Sequence, residues 1–172
     1  MLEDYCVIDL EMTGLNPKHH KILEVAAVRV RKKEIVSECS MLIRQHQPLE
    51  EKITELTGID QEMLAGAKEE DEVLDCFFGF LGEDILVGQN VIFDYSFLKQ
   101  AAINRKQPFE RKAADTLKIA RRCLPALEKR TLDALCGYYG IEIGHHHRAL
   151  DDAKATLSLI HISEPTRLQL IS

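Results

Sequence analysis

Three groups of residues combine reactive chemistry with suggestive spacing. Asp9 and Glu11 stand two apart in YCVIDLE, residues 5–11. The stretch is nearly all apolar before it ends in acids, so it reads as a central buried strand. Alternate strand residues share a face, so both carboxylates point the same way. They also lie at the strand's carboxyl end, where open α/β sheets gather their sites. Adjacent anions repel, and a hard divalent cation such as Mg²⁺ would neutralise them through oxygen. The alternative is a solvated pair of acids. Asp94 closes GQNVIFD, residues 88–94, which follows a short strand and opens a helix. Asp94 is there either a further site acid or an N-cap. The third group is HRALDD, residues 147–152. Five helical positions rotate about 140°, so His147 and Asp152 cannot share a helix face. They converge only if His147 precedes the helix and Asp152 lies in its first turns. Gly144 and the His145-His146-His147 triplet suit such a loop, with His145 and His146 solvated. Ala149 and Thr156 are small and share the face of Asp152, which permits close approach to a sheet. Asp151 reads outward, toward Lys154.

The intervening sequence supplies elements to position these groups. Residues 22–31 and 35–44 read as strands, joined by a polar Lys32-Lys33-Glu34 hairpin. Residues 49–65 suggest short helices broken at Gly58, with Asp60 as a cap. Helical spacing runs from Glu69 to Leu81, through Val73, Leu74, Phe77 and Phe78. Ile85-Leu86-Val87 is a short strand, and Asp94 to Ala102 a helix that breaks at Gln107-Pro108. Residues 115–123 and 131–139 suggest two more helices, and a last one starts near Arg148. The order implies one α/β domain with a mixed sheet.

Composition bounds the function. The 172 residues are 45% hydrophobic, enough for one core. No apolar run nears the roughly 20 residues that span a bilayer. The N-terminus, Met1-Leu2-Glu3-Asp4, is acidic, so no export signal is visible. Five cysteines without C-x-x-C spacing read as free thiols in a reducing cytosol. A cytoplasmic protein is expected. The net charge of −6 argues, taken alone, against a nucleic-acid binder.

Taken together, the three segments resemble the DEDDh-type 3′–5′ exonucleases. That family includes the epsilon proofreading subunit of bacterial replicative DNA polymerase III, RNase T and oligoribonuclease. The matching motifs are D-x-E at Asp9-Leu10-Glu11, N-x-x-F-D at Asn90 to Asp94, and H-x-x-x-x-D at His147 to Asp152. They occur in family order. Thr57-Gly58-Ile59 and Asp115-Thr116-Leu117 also look like family segments. The resemblance implies an RNase H-like fold, a five-stranded mixed sheet flanked by helices. It assigns Asp9, Glu11, Asp94 and Asp152 as metal-binding acids and His147 as general base. Leu10, Met12, Thr13, Thr57, Asn90 and Phe93 would lie against the substrate. Met12 stands where many relatives have Thr; oligoribonucleases also read D-L-E-M-T-G-L, but the rest of the chain is closer to the epsilon-like group.

The implied reaction is phosphodiester hydrolysis with two divalent ions, Mg²⁺ or Mn²⁺, bracketing an in-line displacement. His147, neutral near pH 7, would accept a proton from the attacking water. The expected partner is a single-stranded nucleic-acid 3′ end, DNA above all, in proofreading or repair. A DNA polymerase subunit is a second candidate partner, and no membrane is implied. The oligomeric state stays open. The alternatives are an RNA-trimming exonuclease or oligoribonuclease and, from another class, a non-catalytic nucleic-acid-binding or polymerase-scaffolding module. Two divalent ions would offset four of the six net negative charges.

Charge is segregated along the chain. Residues 50–84 hold twelve acids and two bases; residues 99–130 hold ten bases and three acids. Lys99, Arg105, Lys106, Arg111, Lys112, Arg121 and Arg122 are candidates for phosphate contacts, the alternative being a solvated helix surface. Finally, LSLIHISEPTR, residues 157–167, resembles the in-frame translation of a transposon-end adapter used to prepare sequencing libraries. The expected organisation is therefore an exonuclease domain over 1–156 and a non-native tail over 157–172. Pro165 is expected to interrupt the final helix.

Overall fold

The structure, a computed structural model, describes residues 3–142 and 148–169, with side chains through Ile162. Strand β1 (Tyr5–Met12) is central and has two differently used faces. Cys6, Ile8 and Leu10 enter one buried cluster, while Tyr5 and Val7 enter another on the opposite face. The period-2 alternation of a strand produces that division, and Asp9 and Glu11 continue the second face.

β2 (Ile22–Arg31) and β3 (Glu34–Leu42) form the expected hairpin beside β1. Its two turn residues, Lys32 and Lys33, both have positive φ (50° and 71°). That backbone hand matches the twist of the flanking strands. The short α1 (Glu51–Thr57) and α2 (Gln61–Ala65) follow, broken at Gly58 in the left-handed region. Asp60 caps α2 by accepting the Met63 N–H. α3 (Glu70–Leu81) leads to β4 (Leu86–Gly88), which runs parallel to β1. Gly88 is needed for this approach: a Cβ there would stand 2.9 Å from the Ile8 carbonyl oxygen.

α4 (Ile92–Asn104) is followed by β5 (Ala113–Asp115), parallel to β4, then α5 (Thr116–Cys123) and α6 (Leu132–Tyr139). β5 comes as part of the five-stranded sheet implied by the resemblance; its three residues have no readable period. The sheet order is β3-β2-β1-β4-β5, antiparallel on one side of β1 and parallel on the other. This is the mixed, helix-flanked sheet expected.

The last helix, α7 (Ala149–Gln169), packs across β1 and β2. Ala149 and Ala153 are fully buried, and these small residues let the helix lie close to the strands. One expectation fails here. The helix runs on through Pro165, whose missing N–H removes one bond of the ladder without ending it. Packing continues beyond Thr156: Leu157 (3% exposed) shares a buried cluster with Val28, Val30 and Val87, and Leu159 (5%) joins Leu135 and Cys136. Both leucines face apolar surface because helical periodicity carries the buried stripe past Thr156.

The two charged stretches meet in three dimensions. Arg105 pairs with Asp71 and Asp75, and Arg111 with Glu83. Lys99 pairs with Glu110. These three cations, candidates for phosphate contacts in the sequence, are engaged with neighbouring acids. No helix among the described residues is long and apolar enough to cross a membrane.

Candidate active site

β1 brings Asp9 and Glu11 onto the face covered by α7. In the antiparallel register Asp9 lies opposite Ala26 and Glu11 opposite Glu24. Ala26 is small, which leaves room above Asp9. Asp152 is in the first turn of α7; its N–H bonds to the Arg148 carbonyl at 3.1 Å. One carboxylate oxygen from each of Asp9, Glu11 and Asp152 lies within 4.8 Å of the other two. Three carboxylates converging through oxygen form a donor set suited to Mg²⁺ or Mn²⁺.

Asp94 reaches the same strand from the other side. It is the third residue of α4 and does not cap it: the N-cap is Val91, without a side-chain bond. Its Oδ1 accepts the Leu10 backbone N–H at 3.1 Å instead. β4 pairs with β1 only at Cys6 and Val7, so the edge beyond is open to this carboxylate. Asp94 is 5% exposed.

Crowding of buried acids shifts their protonation. Burial pushes the Asp9 carboxyl well above the usual range, and the charges of Asp94, Asp152, Glu11 and Glu24 add to it. Burial, then Asp152, Glu24 and Asp94, push Glu11 up to about 8, against a smaller pull from Arg148. Burial raises Asp94 to about 7, although backbone N–H bonds oppose it. Each charge is disfavoured until a cation arrives, as expected of a vicinal carboxylate site.

The other expected site residues divide. Leu10 is buried and contributes its backbone to Asp94. Met12 is half-buried against the main core, beyond a β-bulge after Glu11. Thr13 closes the following loop: its N–H bonds to the Lys21 carbonyl, and its Oγ1 accepts the Lys21 N–H, both at 2.9 Å. Asn90 is exposed at positive φ (57°), and its N–H donates to Asp115 Oδ1 at 3.0 Å. Phe93 is half-buried and edge-on to Phe97. Thr57 departs from expectation. It is 1% exposed, and its hydroxyl donates to the Ile53 carbonyl and accepts the Ile59 N–H. Thr57 terminates α1 with its hydroxyl held by the backbone. His147 lies outside the described residues. Lys154, toward which the sequence points Asp151, pairs with Glu38 at 2.8 Å.

Two residues near the carboxylates were given no role from sequence. Glu24 is 1% exposed and binds Arg148 through both carboxylate oxygens. The available signal was an acid inside the apolar run ILEVAAV, since a buried carboxylate requires a partner. Asp115 caps α5 by accepting the Leu117 N–H while holding Asn90. Its signal was the cap-type residue at the start of a helix.

Residues 6–160 match the model of a family described as exonuclease. The chain is 38% identical over 161 residues to the DNA polymerase III PolC-type of Clostridium perfringens, and 40% over 157 to that of Thermotoga maritima. These alignments cover 94% and 88% of the chain, but it spans only 11% of either relative. Among solved structures, exonuclease X in complex with 5′-overhanging duplex DNA superposes with a TM-score of 0.75 at 27% identity, covering 94% of this chain and 92% of that one. The nuclease domain of 3′hExo, a DEDDh family member bound to rAMP, gives a TM-score of 0.78 at 21% identity, covering 95% and 92%; that likeness shows the fold, an RNase H-like one. With its family match spanning nearly the whole described domain, the chain belongs to the exonuclease family.

Proposed function

We propose that this domain hydrolyses phosphodiester bonds stepwise from the 3′ ends of single-stranded DNA. The observation that carries the reading is the convergence of Asp9, Glu11 and Asp152 at the carboxyl end of β1, with Asp94 beside them. All four acids would hold the divalent ions, Mg²⁺ or Mn²⁺. When bound, such ions supply Lewis acidity and charge neutralisation for an in-line displacement at phosphorus.

The chain's own residues do the rest. His147 accepts the proton of the attacking water on an imidazole nitrogen, because its unperturbed pKa near 6.5 leaves it neutral at pH 7. The strand-end segment Leu10, Met12 and Thr13 forms one wall for the terminal nucleotide, and Asn90 and Phe93 the other. The PolC-type relatives are DNA polymerases by name, and exonuclease X is named in complex with DNA. These support DNA over RNA, and work alongside a polymerase in the cytoplasm.

The test uses matched 5′-labelled DNA and RNA oligonucleotides, with Mg²⁺, Mn²⁺ or a chelator. A metal-dependent ladder shortening from the 3′ end of DNA is expected, and Asp9→Ala abolishes it. Preferential shortening of RNA would reassign the substrate. No metal-dependent release from either would leave a binding module.

A further inference from the structure

Glu24 is a carboxylate buried on β2, directly opposite Glu11. Both of its oxygens are filled. Oε1 accepts the Ser40 hydroxyl at 3.0 Å and Arg148 Nη2 at 3.0 Å. Oε2 accepts Arg148 Nε at 3.1 Å and the Ala149 backbone N–H at 3.2 Å. Arg148 immediately precedes α7 and Ala149 begins it, and the same first turn carries Asp152. A single side chain on β2 therefore grips the start of the helix at two consecutive residues.

The chemistry of the grip sets direction as well as contact. A guanidinium fork on a carboxylate fixes relative orientation, which an apolar contact does not. The Ala149 N–H is one of the donors that a helix N-terminus leaves unsatisfied, and a carboxylate there also suits the helix dipole. A buried ion pair is weak as a source of stability, since apolar residues of similar volume often do as well. What apolar residues would not do is fix the rotation of the first turn of α7, where a small change moves Asp152 relative to Asp9 and Glu11.

We propose that Glu24 and Arg148 are a positioning pair, which sets the place of Asp152 in the metal-binding cluster through a two-point grip on the start of α7. The proposal rests on the reading of Asp9, Glu11 and Asp152 as the metal centre. Neither residue touches substrate or metal in this role; both act through Asp152.

Mn²⁺ titration of the full 172-residue chain, followed by the electron paramagnetic resonance of the unbound ion, tests the pair without using turnover. Arg148→Lys retains the charge and loses the fork. Its side chain is 36% exposed, so the variant is expected to fold. Glu24→Gln retains the shape and loses the ionic acceptor. Each is expected to weaken Mn²⁺ binding about tenfold, the usual scale for groups that orient ligands. In DNA cleavage kcat is expected to fall while KM stays within about twofold, because the reacting centre is misplaced and the nucleotide walls are not.

A purely structural role would lower the melting midpoint yet leave Mn²⁺ affinity and kcat of the folded protein at wild-type values. That result with Arg148→Lys overturns the pair. Asp152→Asn, measured in parallel, separates the two ideas. If it loses Mn²⁺ affinity while Arg148→Lys does not, only the positioning role fails. If Asp152→Asn also binds Mn²⁺ as wild type does, the metal-centre reading fails and the pair with it.

Discussion

Asp94, on α4, accepts the backbone N–H of Leu10, on β1, at 3.1 Å. Leu10 lies between Asp9 and Glu11, so this bond ties the second sequence motif to the first at its midpoint. It also gives Asp94 two duties, holding α4 against the open edge of β1 and adding charge to the cluster. The substitution Asp94→Asn separates them, because an amide oxygen can still accept the N–H. The variant is expected to fold, with a melting midpoint near that of wild type, and to lose at least about 100-fold in kcat, beyond the range typical of groups that only orient metal ligands. Thermal melts and single-turnover cleavage read the two effects apart.

The raised carboxyls make stability depend on pH in an unusual direction. A carboxyl whose pKa is higher in the folded than in the unfolded protein binds more protons when folded, so stability falls as pH rises between the two values. For Glu11 that window runs from its ordinary value of 4.5 to about 8. For Asp94 it runs from 3.8 to about 7. The metal-free protein is therefore expected to melt at progressively lower temperature from about pH 5 to pH 8. Added Mg²⁺ or Mn²⁺ is expected to raise the midpoint more at pH 8 than at pH 5, where protons already neutralise the cluster. Equal metal-induced shifts at both pH values would contradict this coupling.

Thr57 tests the distinction between a residue near a site and one in it. Thr57→Ala removes a buried hydroxyl that bonds Ile53 and Ile59. A loss of about 1–2 kcal/mol of unfolding free energy is expected from denaturant melts. Activity of the folded fraction is expected to be unchanged, and Thr57→Ser is expected to restore stability.

Gly88→Ala probes the junction of β1 and β4. Its new Cβ would press on the Ile8 carbonyl oxygen, a backbone atom that cannot swing away. A loss of about 1–3 kcal/mol is expected. The strain lies one residue before Asp9, so activity is expected to fall together with the denaturation midpoint.

Truncation separates the end of the packed domain from the origin of the residues beyond it. We propose that the adapter-like residues 157–167 are not native, although their leucines occupy buried positions. A chain ending at Thr156 loses both Leu157 and Leu159. Each buried leucine contributes about 2–5 kcal/mol when replaced by alanine, so this chain is expected to be severely destabilised. A native continuation recovered from a longer reading frame is expected to place other apolar residues at these two positions.

Much of this protein is written in local patterns. The alternation of β1 placed Asp9 and Glu11 on one face, and the 3.6-residue period around Phe77 placed α3. The hairpin at Lys32-Lys33, the cap at Asp60 and the need for Asp152 to lie in a first turn were legible for the same reason. Each depends on residues within a turn or a strand of one another. The partners of isolated charges could not be read that way. Glu24 meets Arg148 across 124 residues, and Arg105 finds Asp71 and Asp75 on a different helix. β5 has too few residues for a period, and exists because β4 offers it an edge. Asp94 looked equally suited to capping its helix, and only the open edge of β1 beside Leu10 diverted it. Periodicity assigns a side chain to a face; the order of strands and the docking of helices choose what stands opposite, because those contacts form between segments that carry no local record of each other.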